Sequence, residues 1–524
     1  MRLFRMYLPL IILSLTLLFQ SSYLAAQLSS DEIDQLVEEC LEKFDVAGVA
    51  VGIVKDGKII HTKGYGFQSV DTKETVDAHT NFAIASNSKA FTTAALAILV
   101  EEGKLSWQDK VVDHIPEFKM YNAYVTENFN IQDLLTHRSG LGLGIGDLMF
   151  FPDGADFTID DVLSSFQYFK PQSAFRTKFD YDNLLYFVAG EVIARVSGMS
   201  WEDFVDTRIC APLDMERTYS ALSENQVTSN LATPHSTEKG SIRTIGHFDE
   251  MVNGAAGGIF SNVDDLCNWM LVHLNQGKYG ADLGNVLFTE ESQHEMWTIH
   301  TNLDVNRNPR YNSHFAGYGL GWGLTDLLGN LSVSHTGGLP GMLSRTVLIP
   351  DLELGVVVLT NTESGGGSAF GVISRTIVDS YLGLDDYQWM DKYYEYHQNR
   401  KSSGDEVTTE VWKTVEAADD SHIMVDDYIG VYEDNWFGKV EVFEQNGQLW
   451  FKCYRSPKLS GPMAFYKSNS FAIKWEYQDM NADAFAMFGL DENGKAQSIK
   501  MKGISPNIDF SFDFQDLDLR RIDD

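Results

Sequence analysis

The chain has 524 residues, of which 44% are hydrophobic and 12% aromatic, so it holds enough apolar material for sizeable cores and exceeds the usual size of one domain. Two structured units are therefore expected, and this composition excludes a disordered or fibrous protein. The formal net charge of −34 repels phosphate backbones and anionic lipid, which argues against nucleic acid as a partner.

The N-terminus has the parts of a secretory signal peptide. Arg2 and Arg5 precede an apolar run over 7–19, and small residues follow at 25–26, where cleavage is expected. The alternative is an uncleaved membrane anchor, but the run is shorter than the roughly 20 residues that span a bilayer. We therefore expect residues 1–26 to be removed, leaving a secreted or periplasmic protein without stable membrane insertion.

The first elements of the mature chain predict a helix followed by a hairpin. Ser29 and Glu32 have the spacing of a capping box, and apolar residues recur at helical spacing over 33–44. Two β-rich runs, 49–54 and 58–63, flank an Asp-Gly turn. A helix, then strands, then many helices indicates an α+β fold with an antiparallel sheet.

The centre of the chain predicts a long buried helix and a return to strand. Residues 82–100 are rich in alanine and apolar residues and end before Gly103. Residues 104–300 have the pattern of helices and loops. Three strand-like runs fall within 331–361, and a helix over 370–382 is expected to close this unit.

The C-terminal part is expected to be a separate all-β unit. We place the first domain at 27–386 and a charged, irregular linker at 387–424, with a flexible point at 402–404. Residues 425–524 then alternate in short runs separated by turns such as Asn446-Gly447. This pattern is typical of a sandwich or a small barrel.

The four cysteines do not indicate a metal site. They are far apart and have no C-x-x-C pair or zinc-like histidine spacing. Export would permit disulfides, for which three pairings exist, and free buried thiols are equally compatible with the sequence. The residues are Cys40, Cys210, Cys267 and Cys453.

Ser86 and Lys89 are the first candidate catalytic residues, where a strand-like segment meets the buried helix. Positions i and i+3 share a helix face, so Lys89 can reach the Ser86 hydroxyl. Burial and the helix dipole disfavour the ammonium form, and a neutral lysine can then act as the base that activates serine. The alternative is an N-capping serine with a solvated lysine.

Two further segments add candidates. Tyr181 precedes a helical stretch and can shuttle a proton, and Asn183 can hold a substrate amide. The run 335–338, His-Thr-Gly-Gly, lies on a predicted strand, where glycines let a substrate backbone come close. The alternatives are a helix start with a core tyrosine and a tight turn with a surface histidine.

Together these segments resemble the serine hydrolases of the class C β-lactamase, D-alanyl-D-alanine carboxypeptidase and esterase superfamily, which use S-x-x-K, Y-x-N and K/H-T-G motifs. The resemblance covers roughly residues 30–385, and the C-terminal part resembles a lipocalin-like β domain. Further segments that resemble the family are 130–141, 184–198, 211–215, 256–261 and 319–322.

The resemblance implies a β-lactamase/transpeptidase-like fold, with an antiparallel sheet flanked by helices, an all-helical lobe and a small barrel-like domain after them. It also implies acylation of a serine, proton transfer by lysine and tyrosine, and an oxyanion hole of two backbone amides. The catalytic residues that it implies are Ser86, Lys89 and Tyr181. The substrate-binding residues that it implies are Asn183, His335, Thr336 and Gly337, and the implied oxyanion hole is formed by the backbone amides of Ser86 and Gly338.

One departure from the family bears on the substrate. His335 stands where penicillin-binding enzymes and class C β-lactamases carry a lysine, and a histidine is largely neutral at pH 7. We therefore expect hydrolysis of a peptide, amide or ester, small or peptidic, with no metal or organic cofactor. The alternatives are an inactive binding or sensor protein, or a true β-lactamase or D-alanyl-D-alanine carboxypeptidase. The sequence leaves the oligomeric state open.

Overall fold

The computed structural model describes residues 27–222, 230–238, 240–248, 251–420 and 423–522. The signal peptide predicted over 1–26 lies outside these residues. Within the described ranges, no helix is long and apolar enough to cross a membrane.

The described helices surround one large sheet and form a lobe beside it. The first helix begins after Ser29, whose side chain forms the predicted capping box with Glu32. The helices are α1 (Ser30–Lys43), α2 (Ser88–Glu101), α3 (Val111–His114), α4 (Ala123–Asn128), α5 (Ile131–Leu135), α6 (Ile159–Ser165), α7 (Leu184–Ser197), α8 (Trp201–Val205), α9 (Val263–Leu274), α10 (Glu290–Met296), α11 (Gly365–Tyr381) and α12 (Trp389–Glu416).

The described strands form one large sheet, one closed barrel and three short pairs. The first fourteen are β1 (Gly48–Lys55), β2 (Lys58–Gly66), β3 (Phe82–Ala83), β4 (His235–Ser236), β5 (Arg243–Thr244), β6 (Phe260–Ser261), β7 (Lys278–Tyr279), β8 (Asn285–Val286), β9 (Thr301–Asn302), β10 (Ala316–Tyr318), β11 (Gly323–Leu327), β12 (Asn330–Leu339), β13 (Met342–Ile349) and β14 (Leu354–Thr360). The remaining eight are β15 (Gly430–Asp434), β16 (Gly438–Gln445), β17 (Gln448–Cys453), β18 (Ser460–Lys467), β19 (Ser470–Ile473), β20 (Ala484–Leu490), β21 (Ala496–Gly503) and β22 (Leu519–Arg521).

The large sheet is antiparallel and has helices on both faces. Its eight strands have the order β2-β1-β14-β13-β12-β11-β10-β9. Along β1, Val49 and Val51 pack with α1 and α11, whereas Ala50 and Val54 belong to the core on the opposite face. This alternation follows from the two-residue period of a strand. The predicted α+β fold with an antiparallel sheet and flanking helices is confirmed.

Helix α2 is the central helix of the helical lobe. Residues 88–99 are buried without interruption, and the helix packs against α7 and α8. A helix that is apolar on all sides has to be surrounded by protein, which explains the alanine-rich sequence. Because α2 is held on every side, the residues at its first turn have a fixed position.

The C-terminal strands β15–β22 close into an antiparallel barrel. Alternate residues such as Val440, Val442 and Phe451 are fully buried and fill its interior. The predicted Asn446-Gly447 turn joins β16 to β17, and both residues have positive φ. Of the two all-β arrangements that the sequence left open, the barrel is the one observed.

The segment expected to be irregular between the two units contains a long helix instead. Helix α12 covers Trp389–Glu416, so the prediction of an irregular 387–424 was wrong in this respect. Few apolar residues of α12 are buried, and its sequence therefore lacks a clear helical period. Gly404, which the sequence suggested to be flexible, is a contact residue: a Cβ there would lie 2.2 Å from Asn507 Nδ2 of the barrel unit.

The four cysteines are free and buried. Burial raises the pKa of each thiol well above its ordinary value, and a thiol that keeps its proton is a poor nucleophile. Of the two possibilities that the sequence left open, the structure contains free thiols at Cys40, Cys210, Cys267 and Cys453.

Candidate active site

Ser86 lies in the turn that joins β3 to α2. Ala85, just before it, has φ of 47°, a left-handed conformation that is costly for a residue with a Cβ and that persists only where the surroundings enforce it. The turn is tied to β13 by Ser344, whose hydroxyl accepts from Asn87 Nδ2 at 2.7 Å and donates to the Ile84 carbonyl at 2.6 Å. The Ser86 side chain is therefore held at the edge of the lobe, half-buried.

Lys89 is fully buried one turn further along α2. Its Nζ lies 3.1 Å from Ser86 Oγ, 2.7 Å from Asn183 Oδ1 and 2.7 Å from the Ala256 carbonyl oxygen. The amide and carbonyl oxygens can only accept hydrogen bonds, whereas the serine hydroxyl can also donate. A neutral amine that donates twice and accepts once would satisfy all three contacts.

The surroundings of Lys89 favour the neutral amine. Burial lowers its pKa to about 7, although the carboxyls of Asp147 and Asp182 act in the opposite direction. The rings of Tyr181 and Tyr186 lie 4.9 and 5.0 Å from Nζ and add a weak attraction for the cation. At neutral pH a large fraction of the molecules therefore carries Lys89 as the neutral amine, which is able to accept a proton.

Tyr181 faces the Ser–Lys pair from the loop before α7. Burial raises its pKa well above the ordinary value, and a hydrogen bond with Ser86 opposes this rise. The phenol therefore keeps its proton. The His137 ring lies 4.2 Å from the Tyr181 ring between centroids, and its Nδ1 accepts from the backbone N–H of Asp182 at 3.1 Å, so the loop that carries Tyr181 is fixed from behind.

Strand β12 passes directly in front of Ser86. A Cβ at Gly337 would lie 2.1 Å from the Ile84 carbonyl oxygen and 3.0 Å from the Ser86 nitrogen, so glycine is required for this approach. Thr336 and Gly338 line the same cleft as Ser86. The structure thus brings together all three motifs that the sequence analysis singled out.

His335 is buried and is held as a neutral ring. Its Nε2 lies 2.9 Å from Tyr318 Oη, and its Nδ1 lies 2.6 Å from the Thr336 carbonyl oxygen. Burial and the charge of Lys89 lower its pKa to about 3. The imidazole can therefore take part in hydrogen bonds, but it supplies no fixed positive charge for a substrate carboxylate.

Several residues around the site carried no role in the sequence analysis. Asp147 is fully buried and accepts from Asn183 Nδ2 at 2.8 Å, and burial raises its pKa well above the ordinary value. His137 stood inside a segment that resembled the family, and Tyr318 stood one residue before another. Asp147 follows a glycine-rich loop and had no such signal, because only the tertiary fold places it beside Asn183.

A cleft of about 280 Å³ opens above Ser86. Its acidic side chains are Glu363, whose pKa burial raises to about 7, and Asp509, whose pKa burial also raises. No lysine or arginine is among the described residues that line it. Its walls are otherwise mainly apolar, from Phe150, Phe151, Met251, Leu339, Leu343, Met480 and Phe510.

The barrel unit forms part of this cleft. Met480, Asp509, Phe510 and Ser511 come from loops between barrel strands and line it together with Ser86. In the part of the chain that the structure describes, no group of three or more His, Cys, Asp or Glu residues is arranged to hold a metal ion.

The fold and these three motifs across one cleft define the class of the β-lactamase and penicillin-binding proteins. The family model described as "Beta-lactamase" matches residues 33–373, so the chain belongs to the β-lactamase family. Residues 415–521 match a second model, described as "Domain of unknown function (DUF3471)".

Two known proteins are similar to this chain in sequence. Protein flp of Staphylococcus aureus (strain MW2) is 28% identical over 64% of this chain and 64% of its own length. Unguisins hydrolase ungD' of Aspergillus campestris is 27% identical over 70% of this chain and 69% of its own. The chain thus spans about 64% of the length of the flp relatives.

Solved structures share the fold. The octameric penicillin-binding protein homologue from Pyrococcus abyssi has a TM-score of 0.60 and 21% identity, over 94% of this chain and 100% of that chain. The penicillin-binding protein from Bacillus halodurans has a TM-score of 0.54 and 22% identity, over 65% of this chain and 99% of that chain. The first of these alignments extends through most of the barrel as well as the family domain.

Proposed function

We propose that this protein is a serine hydrolase that cleaves a peptide, amide or ester through an acyl-enzyme on Ser86. The observation that carries the proposal is the contact set of Lys89, whose Nζ lies 3.1 Å from Ser86 Oγ while its other partners, the oxygens of Asn183 and Ala256, can only accept. This leaves the lone pair of a neutral amine for the serine proton.

In the acylation step, Ser86 Oγ attacks the carbonyl carbon and its proton moves to Lys89 Nζ. The carbonyl electron pair moves onto the oxygen, where the backbone N–H groups of Ser86 and Gly338 would stabilise the negative charge. Collapse of this tetrahedral intermediate breaks the bond to the leaving group, which takes a proton from Tyr181. Lys89 then returns its extra proton to Tyr181, so the site is again neutral.

In the deacylation step, water adds to the Ser86 ester and gives up a proton to Lys89. Collapse releases the carboxylic acid, and the proton returns to Ser86 Oγ. Because the pKa of the Tyr181 phenol is high, the phenol keeps its proton in the resting enzyme. It can therefore pass that proton on and take another one back, as a relay requires. The net reaction consumes one water per bond cleaved.

The charges in the cleft support neutral or cationic substrates over anionic ones. Glu363 and Asp509 line it, and His335 is held neutral. A substrate ammonium would favour the ionised forms of these two carboxyls and pair with them, whereas a carboxylate beside the scissile bond, as in a cephalosporin, would meet no lysine or arginine among the described residues that line the cleft. The fungal relative is named as a hydrolase of unguisins, which supports hydrolysis as the reaction.

A fluorophosphonate probe tests the nucleophile. We expect one adduct, mapped to Ser86 by mass spectrometry, that is lost in Ser86→Ala. Ser88→Ala is the matched control, because Ser88 is a buried serine two residues away whose hydroxyl only accepts from the Ile259 N–H; it should keep the label. Labelling that persists in Ser86→Ala would contradict the proposal.

A substrate screen tests the specificity. It should contain p-nitrophenyl esters, D- and L-aminoacyl amides with free or acetylated amines, and a chromogenic cephalosporin. We expect the cephalosporin to be the slowest, and we expect Asp509→Asn to reduce the preference for free amines. A cephalosporin turned over faster than every ester and amide would refute this specificity, and labelling without any turnover would favour a sensor.

A further inference from the structure

The loop between β21 and β22 of the barrel, residues 504–518, enters the active site. We call it the barrel loop. Its Phe510 ring lies 5.9 Å from the Tyr181 ring, and a Cβ at Gly144 would lie 2.7 Å from Phe510. Gly144 in turn donates its N–H to the Tyr181 carbonyl at 2.8 Å. The barrel loop is thus packed on the backbone that carries the proposed proton relay.

Ser511 of the barrel loop joins a chain of hydrogen bonds that ends at the nucleophile. Its hydroxyl donates to Asp147 Oδ2 at 2.8 Å, and the same oxygen accepts from Asn183 Nδ2 at 2.8 Å. Asn183 Oδ1 then accepts from Lys89 Nζ at 2.7 Å, and Lys89 reaches Ser86. Ser511, Asp147 and Asn183 are all buried.

Asp513 holds the turn that presents Asp147. Its two carboxyl oxygens accept the backbone N–H groups of Gly146 at 2.7 Å and Leu148 at 3.0 Å, the residues on either side of Asp147. Gly146 has φ of 77°, so the turn is one that few other residues adopt. Asp513 is fully buried, so water does not compete for these contacts.

The orientation of the Asn183 amide decides what Lys89 can do. With its oxygen toward Nζ, the amide accepts a hydrogen bond from an N–H of the amine, which leaves the lone pair free to point toward Ser86. With its nitrogen toward Nζ, the amide N–H would engage the lone pair of the neutral amine, so that the lone pair could no longer accept the Ser86 proton. The Asp147 carboxyl fixes the first orientation by accepting from Nδ2, and the barrel loop fixes Asp147.

We infer that Ser511 and Asp513 of the barrel are positioning residues for the acylation step, and that completing the Lys89–Asn183–Asp147 network is a function of the DUF3471 region. The inference rests on the proposed function of Ser86 and Lys89. Neither positioning residue touches the reacting atoms. They act by holding Asp147, and through it Asn183, in the orientation that aims the Lys89 lone pair at the Ser86 hydroxyl.

The first test follows fluorophosphonate labelling of the whole protein as a function of time and probe concentration. Ser511→Ala should lower the limiting rate constant kinact by roughly 5- to 30-fold, the effect of one lost hydrogen bond to a charged or buried group, and leave KI within about twofold. Ser505→Ala is the matched control, since Ser505 is a buried serine of the same loop that accepts only from Asn507 N–H.

The second test uses Asp513→Asn, whose amide nitrogen cannot accept an N–H and so loses one of the two backbone contacts. We expect the same fall in kinact. Asp326→Asn is the control, because Asp326 of β11 is a buried aspartate that accepts the N–H groups of His314 and Phe315 and does not line the cleft. It should keep kinact while losing comparable thermal stability.

A double mutant separates positioning from a general loss of structure. In an Asn183→Ala background the chain of contacts is already broken, so adding Ser511→Ala should lower kinact less than twofold further. Wild-type kinact in Ser511→Ala, or full additivity with Asn183→Ala, would overturn the inference. Failure of the wild-type protein to label at Ser86 would instead overturn the proposed function.

Discussion

The side chains of the proposed active site are controlled by burial more than by opposite charges. Burial lowers the pKa of Lys89 to about 7 and that of His335 to about 3, and it raises the pKa of Tyr181 well above its ordinary value. All three groups are therefore driven toward their neutral forms. A neutral amine beside a hydroxyl is a base, and a neutral phenol beside the same hydroxyl is a proton donor.

The protonation state of Lys89 predicts how the activity depends on pH. Because the pKa is lowered to about 7, the reactive neutral form grows as pH rises, and kcat/KM for an ester should increase through pH 7 and then level off. Lys89→Arg keeps the charge but cannot lose its proton, so acylation should fall by roughly 10²–10⁴-fold. The measurement is the pH profile of kcat/KM for both proteins.

The control for this prediction is Lys104→Arg, an exposed lysine near the other end of the same helix region, which should leave the profile unchanged. A Lys89→Arg protein that acylates within a few-fold of wild type would show that Lys89 contributes only its charge. The fold assignment would be unaffected by that outcome.

The phenol of Tyr181 gives a second prediction. Tyr181→Phe removes the hydroxyl that would protonate the leaving group, so kcat should fall far more for amides, which need that proton, than for p-nitrophenyl esters, which do not. The ratio of amide to ester kcat is the measurement. Tyr454→Phe, at an exposed barrel tyrosine, is the control. Equal losses for both substrates would contradict the relay.

At the scale of elements, the site is built where α2, the start of α7 and strand β12 meet. The close approach of β12 to the turn before α2 depends on Gly337, and the docking of α12 on the barrel unit depends on Gly404. In both places the absence of a Cβ allows two backbones or a backbone and a side chain to come within van der Waals distance. At both positions glycine is needed because a larger side chain would not fit between the packed segments.

The close approach of β12 predicts unequal losses of activity at two adjacent glycines. Gly337→Ala would place a Cβ 2.1 Å from the Ile84 carbonyl, so β12 must move away from Ser86 and kcat/KM should fall at least roughly 10²-fold. Gly338→Ala meets only the Leu343 side chain, at 3.2 Å, and keeps its N–H, so it should lose less than tenfold. Ester hydrolysis measures both. Equal losses would contradict the geometry.

At the scale of the whole molecule, the barrel is fastened to the helical lobe by ion pairs as well as by the barrel loop. Arg455 donates to Asp156 and to both carboxyl oxygens of Asp161, and its guanidinium lies 4.0 Å from the centre of the Phe157 ring. Lys458 donates to Asp153 at 2.7 Å. Because the cleft has walls from both sides, these contacts also preserve its shape.

We therefore expect the contacts of Arg455 to contribute measurably to the thermal stability of the protein. Arg455→Ala should lower Tm by roughly 1–3 °C, as expected for the loss of about 1–3 kcal/mol of charge-assisted hydrogen bonding in a chain of this size. Arg520→Ala, an exposed barrel arginine paired with Asp518, should lower it by less. Differential scanning calorimetry measures both. Equal shifts for the two variants would show that the Arg455 contacts add no stability.

The same ion pair has a defined pH dependence. Arg455 holds the pKa of Asp161 well below its usual range. A carboxyl with a depressed folded-state pKa contributes stability above its unfolded pKa and loses it as pH falls toward the folded value. The difference in Tm between wild type and Arg455→Ala should therefore be constant from pH 8 to about 5 and shrink only in stronger acid.

The amino-acid sequence by itself predicted the local elements and the candidate reacting groups. A capping box, a two-residue hairpin turn and a run of buried alanines are short-range signals, and they correctly predicted α1, β1–β2 and α2. The pair Ser86 and Lys89 is likewise a one-turn relation along a single helix start. The family resemblance supplied the order of the three motifs, and the structure brings them to one cleft.

Tertiary structure alone decided what surrounds those groups. Asp147 is 36 residues from Asn183 and Ser511 is 364 residues from Asp147 along the chain, so no periodicity connects them. The helix over Trp389–Glu416 was missed because few of its residues are buried, which leaves no apolar pattern to read. Contacts between distant segments depend on how the barrel docks, and docking is set by complementary surfaces that a linear pattern does not encode.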